Sequence, residues 1–205
     1  PIGGGVFGYA ALARALDPHR AVYGLQAAGF DGPAELPDSV ATMAARYVAA
    51  IRAVQPRGPY HLLGHSFGGL VAHAMAVELR AAGEPIGSLT MLDTDRCDAG
   101  APIVAPRDIP DGHLARMVAN GIALAGRHRP TGRVPSLTYL RADGDSRDTA
   151  REAYWCALAD YAVRARPVSC GHYAMLDTDQ AETIARHITE AALNLVDTPA
   201  RVAAA

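Results

Sequence analysis

Lysine is absent from this 205-residue sequence, and all nineteen basic residues are arginine. Against twenty-one acidic residues they leave a formal charge of −2. That balance excludes the broad basic surface on which nucleic-acid binding depends, and there is no acidic tail. With alanine so abundant, the missing lysine reads as a GC-rich coding bias without functional meaning. Cysteine is scarce too. Cys97, Cys156 and Cys170 are an odd number without CxxC spacing, which excludes a disulfide framework and a cysteine zinc site and fits a reducing compartment. No apolar run reaches the roughly 18 to 20 residues of a membrane span. Pro1-Ile2-Gly3-Gly4-Gly5 lacks the basic and apolar regions of a secretory leader. A soluble, cytoplasmic protein with neither nucleic acid nor membrane as partner is expected.

At roughly 150 residues per domain the chain is expected to form a single domain over 1–205. Helix-period segments alternate with short apolar runs bounded by Gly and Pro, the signature of an α/β fold with a mostly parallel sheet flanked by helices. Helices are expected over Val6–Leu16, from Val40 behind the N-cap Ser39 to before Pro56, over Leu70–Ala82, around Ala150–Tyr161 and over Gln180–Leu195. Strands are expected at Ala21–Leu25, Tyr60–Leu63, Leu89–Leu92, Leu137–Leu140 and Val163–Val168. Between Asp93 and Pro135 the pattern dissolves into Gly, Pro, Asp and Arg, leaving one amphipathic piece, His113–Leu124. The stretch of about 95–133 is therefore expected to be a mobile lid insertion without a strand. The opening Gly-rich loop normally caps a strand in a doubly wound sheet, so a first strand is expected to be missing from this chain.

Chemistry concentrates at Gly64-His65-Ser66-Phe67-Gly68-Gly69. GxSxG is weak by itself; between an apolar strand and a helix it describes a nucleophile elbow with the Ser66 hydroxyl exposed at the strand end. Serine needs a base, and the base needs an acid to orient it. Of the histidines beyond Ser66, His73 and His187 fall within helices and His113 and His128 within the insertion. His172 alone lies in the loop between the last strand and the last helix, where this architecture places its base. Cys170 stands only two residues from His172, which makes a Cys-His pair improbable. Two carboxylates stand at strand ends, Asp93 and Asp143, and strand order leaves both open as the acid.

The segments Val22-Tyr23-Gly24-Leu25-Gln26, Gly58-Pro59-Tyr60, Leu62 through Gly69, Leu92-Asp93-Thr94 and Gly171 through Leu176 resemble the terminal, type I thioesterase domains of nonribosomal peptide synthetases, which have the α/β-hydrolase fold. In that family the acid follows the strand after the elbow helix, and Asp93, 27 residues beyond Ser66, matches. The resemblance implies a Ser66, Asp93 and His172 triad, with backbone N–H groups of Ile2 and Phe67 as oxyanion donors. It implies a peptidyl thioester substrate on the phosphopantetheine arm of an upstream carrier domain, and no bound cofactor or metal. The insertion becomes the lid that encloses the peptide.

The sequence departs from the family in its absent first strand, its short lid region and His65, where an aromatic or other residue often stands. Two roles are open to His65: auxiliary base, or a side chain turned into the fold and hydrogen-bonded there. The activity expected is release through a peptidyl-O-serine ester, by hydrolysis in preference to macrocyclisation. A nocardicin-type release domain, which epimerises before hydrolysis, is a narrower candidate resting on His65. The alternatives are a discrete editing thioesterase, a stand-alone esterase and a non-enzymatic hydrolase-like binding module.

Overall fold

The computed structural model describes residues 1–16, 18–95, 112–144, 149–161 and 163–196. The helices are α1 (Ala10–Ala15), α2 (Val40–Val54), α3 (Phe67–Ala81), α4 (His113–Arg127), α5 (Thr149–Cys156) and α6 (Thr178–Val196). The strands are β1 (Tyr60–His65), β2 (Ile86–Leu92), β3 (Leu137–Ala142) and β4 (Val163–Val168). They form one parallel sheet in the order β1-β2-β3-β4. Parallel strands need crossovers, and helices supply them, so both faces of the sheet are covered.

The side-chain alternation of the strands sorts the core into two halves. Leu89, Met91, Leu137 and Tyr139 point to one face, where they meet Leu70, Met75 and Leu79 of α3, with α2 packed beyond. Sandwiched between sheet and α2, α3 is apolar on nearly every side. Leu92, Leu140, Ala142 and Val168 point to the other face, where Leu12 of α1 and Ile184 and Ala185 of α6 cover them. α2 owes its start to Ser39, whose Oγ accepts the Thr42 N–H at 3.0 Å, and its seat to Val40, Ala44 and Val48 on one stripe.

Register sets the position of the site. His65 pairs with Leu92, and Leu92 with Leu140. The ladder then runs one residue past the strands: Ser66 N–H donates to Leu92 O at 2.9 Å, Asp93 N–H to Leu140 O at 2.7 Å and Asp143 N–H to Val168 O at 2.9 Å. Ser66, Asp93 and Asp143 therefore stand in a row at the carboxyl edge of the sheet, the edge at which open parallel sheets carry their sites.

Several expectations change. Ala21–Leu25 is not a strand: it has no strand partner among the described residues, and Val22 and Tyr23 are exposed. An alternating apolar run needs a neighbour to pair with before it becomes a strand, and here none is beside it. The first helix is split, a 3-10 turn at Phe7–Tyr9 preceding α1. A 3-10 turn also occupies His172–Leu176, and α5 ends at Cys156 because the chain turns there to bridge Ala159 with Val134. Of the insertion, 96–111 lies outside the described residues, as does the expected tail from Pro199. α4 is seated on the fold through Met117, Val118, Gly121, Leu124 and Ala125, and the described part adds no strand to the sheet.

Candidate active site

The turn from β1 into α3 admits little but glycine. A Cβ at Gly64 would collide with the Gly68 carbonyl, and one at Gly69 with the Thr94 hydroxyl. Between them Ser66 is held at φ 55°, ψ −126°, a region that non-glycine residues rarely enter. Asp93 is likewise at φ 42°. Positive φ at two neighbouring strand ends is strain that the surrounding ladder must hold in place, and such strain clusters at functional sites.

His172 comes from the far side of the sheet, at the start of the 3-10 turn after β4. Its Nε2 lies 3.0 Å from Ser66 Oγ and its Nδ1 2.7 Å from Asp93 Oδ2. The other oxygen, Oδ1, accepts the Ala142 N–H at 3.1 Å and faces Arg151 Nη1 at 3.4 Å. Burial alone would raise the Asp93 carboxyl pKa. The hydrogen bond and charge of His172, with Arg151 and the Ala142 N–H, outweigh it and hold the group below the ordinary carboxylate range. An imidazole between a buried carboxylate and a serine hydroxyl, with both nitrogens engaged, can take the hydroxyl proton and keep its orientation.

Asp143 is turned away from this chain of bonds. Its carboxylate is held by Arg141 Nη1 at 2.6 Å. His65 lies under His172, with ring centroids 4.8 Å apart, and its Nε2 is 3.0 Å from the His172 carbonyl oxygen. Burial, then the neighbouring His172, push its pKa down to about 3. Ile2 is in the Pro1–Gly4 turn, closed by Gly4 N–H to Pro1 O at 3.0 Å, and the Pro1 nitrogen stands 3.5 Å from where a Cβ on Gly68 of α3 would be. Neither the Ile2 nor the Phe67 N–H has an acceptor among the described residues. A small cavity of about 30 Å³ lies beside this turn, bounded by Ile2, Phe67, Met117 and Gly121. Cys170 contacts Met175 Sδ at 3.4 Å and stands outside the Ser66–His172–Asp93 chain. Among the described residues no three His, Cys, Asp or Glu are grouped to hold a metal, and no helix is long and apolar enough to cross a membrane.

Residues that no sequence motif announces complete the site. The Thr94 carbonyl, next to Asp93, accepts from Tyr139 Oη at 3.0 Å and Trp155 Nε1 at 3.1 Å, pinning the acid-bearing loop from beneath. The lone tryptophan was the available clue, since a buried indole N–H requires an acceptor. Arg151 and the Tyr9 hydroxyl, which accepts the His65 N–H at 2.9 Å, become neighbours only through the fold.

A parallel sheet flanked by helices, with a strained serine between β1 and α3, a carboxylate at the end of β2 and a histidine after β4 meeting at one edge, defines the α/β-hydrolase fold. Residues 1–145 match the thioesterase domain family, and the chain belongs to that family of serine hydrolase-type enzymes. It is 32% identical over 210 residues to the malpibaldin synthetase of Mortierella alpina, with 88% of this chain covered. To the dimodular nonribosomal peptide synthase of Bacillus subtilis (strain 168) it is 48% identical over 93 residues, 45% of this chain. The chain spans 4% of the length of each of these proteins. Among solved structures, a covalent complex of the NocB thioesterase domain with a fluorophosphonate nocardicin G analog superposes with a TM-score of 0.77 at 28% identity, covering 93% of this chain and 90% of that one.

Proposed function

We propose that this domain releases a peptide from the phosphopantetheine arm of an upstream carrier domain, with Ser66 as nucleophile, His172 as general base and Asp93 as its acid. The observation that carries the reading is the unbroken Asp93–His172–Ser66 hydrogen-bond chain at the carboxyl edge of a thioesterase-family sheet. Ser66 Oγ attacks the thioester carbonyl as His172 Nε2 takes its proton. The N–H groups of Ile2 and Phe67 receive the oxyanion, each worth about 3 to 4 kcal/mol in the transition state. The thiol leaves with the proton held by His172, and a peptidyl-O-serine ester remains. Water then attacks with His172 again as base, giving a linear acid. No cofactor of the domain's own enters these steps.

Hydrolysis is preferred over macrocyclisation because a short insertion over about 95–133, acting as the lid, leaves water access to the ester. The likeness to the NocB domain keeps an epimerising variant of the same release in view, and incorporation of solvent deuterium at the α-carbon of the product reports it. A soluble, cytoplasmic setting fits a carrier-bound substrate.

Turnover of one peptide in three forms tests the assignment: as a thioester on a carrier protein, as a free thioester and as a simple oxyester. The carrier-bound form should be turned over most efficiently. Equal or better activity on the oxyester would make the protein a stand-alone esterase, and a preference for short acyl groups an editing thioesterase. Inertness toward all three would leave a binding module.

A further inference from the structure

His65 is the element of the motif that the triad leaves unused. It is 4% exposed, it immediately precedes Ser66 in the chain, and its Nε2 lies 3.0 Å from the backbone oxygen of His172. A carbonyl oxygen only accepts, so Nε2 must carry the hydrogen and donate it. Nδ1 then holds the lone pair, buried and without a hydrogen-bond partner among the described residues. The backbone of His65 is fixed in turn, its N–H donating to Tyr9 Oη at 2.9 Å.

These bonds close a ring. From Ser66 the chain runs one residue back to His65, across the side-chain bond to the His172 carbonyl, through His172 to its Nε2, and back to Ser66 Oγ at 3.0 Å. Ser66 and His172 lie 106 residues apart and follow the two outermost strands of the sheet, β1 and β4. Nothing local fixes their separation, and the His65 bond is a direct tie between the two segments.

We propose that His65 is the positioning residue of the base: by donating Nε2–H to the His172 carbonyl it sets the distance and orientation of His172 toward Ser66, and it takes no proton during the reaction. This rests on the reading of Ser66 and His172 as nucleophile and base. A proton-carrying role is disfavoured by the surroundings. A second imidazolium would stand ring against ring with His172 at 4.8 Å in a buried position, and burial already pushes the His65 pKa down to about 3.

The test compares His65→Gln, whose amide N–H reaches a similar point, with His65→Leu, which fills the space without a donor. Steady-state kinetics on a soluble acyl thioester and the rate of fluorophosphonate labelling are the readouts. His65→Leu should lower kcat by about 10²-fold, the effect of a misplaced base, with KM little changed and labelling slowed in parallel. His65→Gln should recover most of that loss and keep the wild-type pH profile. A His65→Gln enzyme as slow as His65→Leu, or one that has lost a limb of its pH profile, would overturn positioning in favour of proton transfer. An unchanged kcat in His65→Leu would show that the bond positions nothing.

Should His65→Leu fail to fold, nitrogen NMR of the wild-type ring decides. Nε2 protonated and no titration between about pH 5 and 8 supports the proposal, and titration within that range overturns it. Failure of the underlying reading is separable, because it would put the fluorophosphonate adduct of the wild-type protein somewhere other than Ser66.

Discussion

Asp93 and Asp143 stand one strand apart on the same sheet edge, and their partners separate them. Asp93 meets His172 Nδ1 at 2.7 Å, whereas Asp143 is taken by Arg141 at 2.6 Å. Asp93→Asn should leave the fold intact and lower turnover by up to about 10⁴, through the wrong imidazole tautomer. Asp143→Asn should be nearly silent, and kcat of the two variants on one thioester checks the ranking. The Asp93 carboxyl is also held below its ordinary pKa in the folded state. A depressed carboxyl contributes stability above its unfolded value, near 3.8, and loses it as pH falls through the lower folded value. The stability difference between wild type and Asp93→Asn in urea should therefore be full near neutrality and shrink below about pH 4. Ser66 and His172 were legible because each occupies a position that chain order defines. The choice between aspartates was not legible from strand order, since it turns on where the His172 imidazole and the Arg141 guanidinium reach, and only the family spacing pointed to Asp93.

α4 is the described part of the expected lid insertion, and it is tied to the body of the fold. Three side chains stitch it to the loop before α2: His113 Nε2 to Phe30 O at 3.2 Å, Asn120 Nδ2 to Pro37 O at 3.0 Å and Arg127 Nη2 to Asp38 O at 3.4 Å. Gly121 faces the Pro1–Gly4 turn so closely that a Cβ there would stand 2.9 Å from Ile2 Cγ1. The helix thus rests on the residue proposed to offer an oxyanion donor. Gly121→Ala should move the Ile2 turn and reduce kcat by about tenfold, roughly 1.4 kcal/mol of transition-state stabilisation, with KM nearly unchanged. Its stability should change little, because alanine gains about 1 kcal/mol of helix propensity against a similar cost of overpacking. Kinetics beside thermal melting checks both halves. Amphipathic spacing announced the helix over His113–Leu124, and its apolar stripe is what seats it. What that stripe would cover was not readable, since the covering loop lies more than 80 residues away in sequence for each stitch.

At the scale of the molecule, the parallel register does the assembling. Pairing of His65 with Leu92 and of Leu92 with Leu140 brings three strand ends level, at the carboxyl edge where open parallel sheets carry their sites. The α/β alternation was legible because fully buried parallel strands read as short apolar runs between helical periods. Ala21–Leu25 has the same pattern and is unpaired, because pattern alone does not supply a neighbouring strand. The proposed release by hydrolysis is a prediction at this scale, since it depends on water reaching the acyl-serine ester. Chromatography of products from a carrier-bound peptide should give mainly the linear acid, and a predominance of ring product would reverse the preference.

The central claim is that Ser66 carries the acyl group. Incubating the protein with a peptidyl fluorophosphonate, digesting it and mapping the adduct by tandem mass spectrometry tests this most directly. One adduct should be found, on the serine of the Gly64–Gly69 segment, absent from Ser66→Ala, whose turnover should fall by several orders of magnitude. An adduct on another residue, or labelling that persists undiminished in Ser66→Ala, would contradict the account.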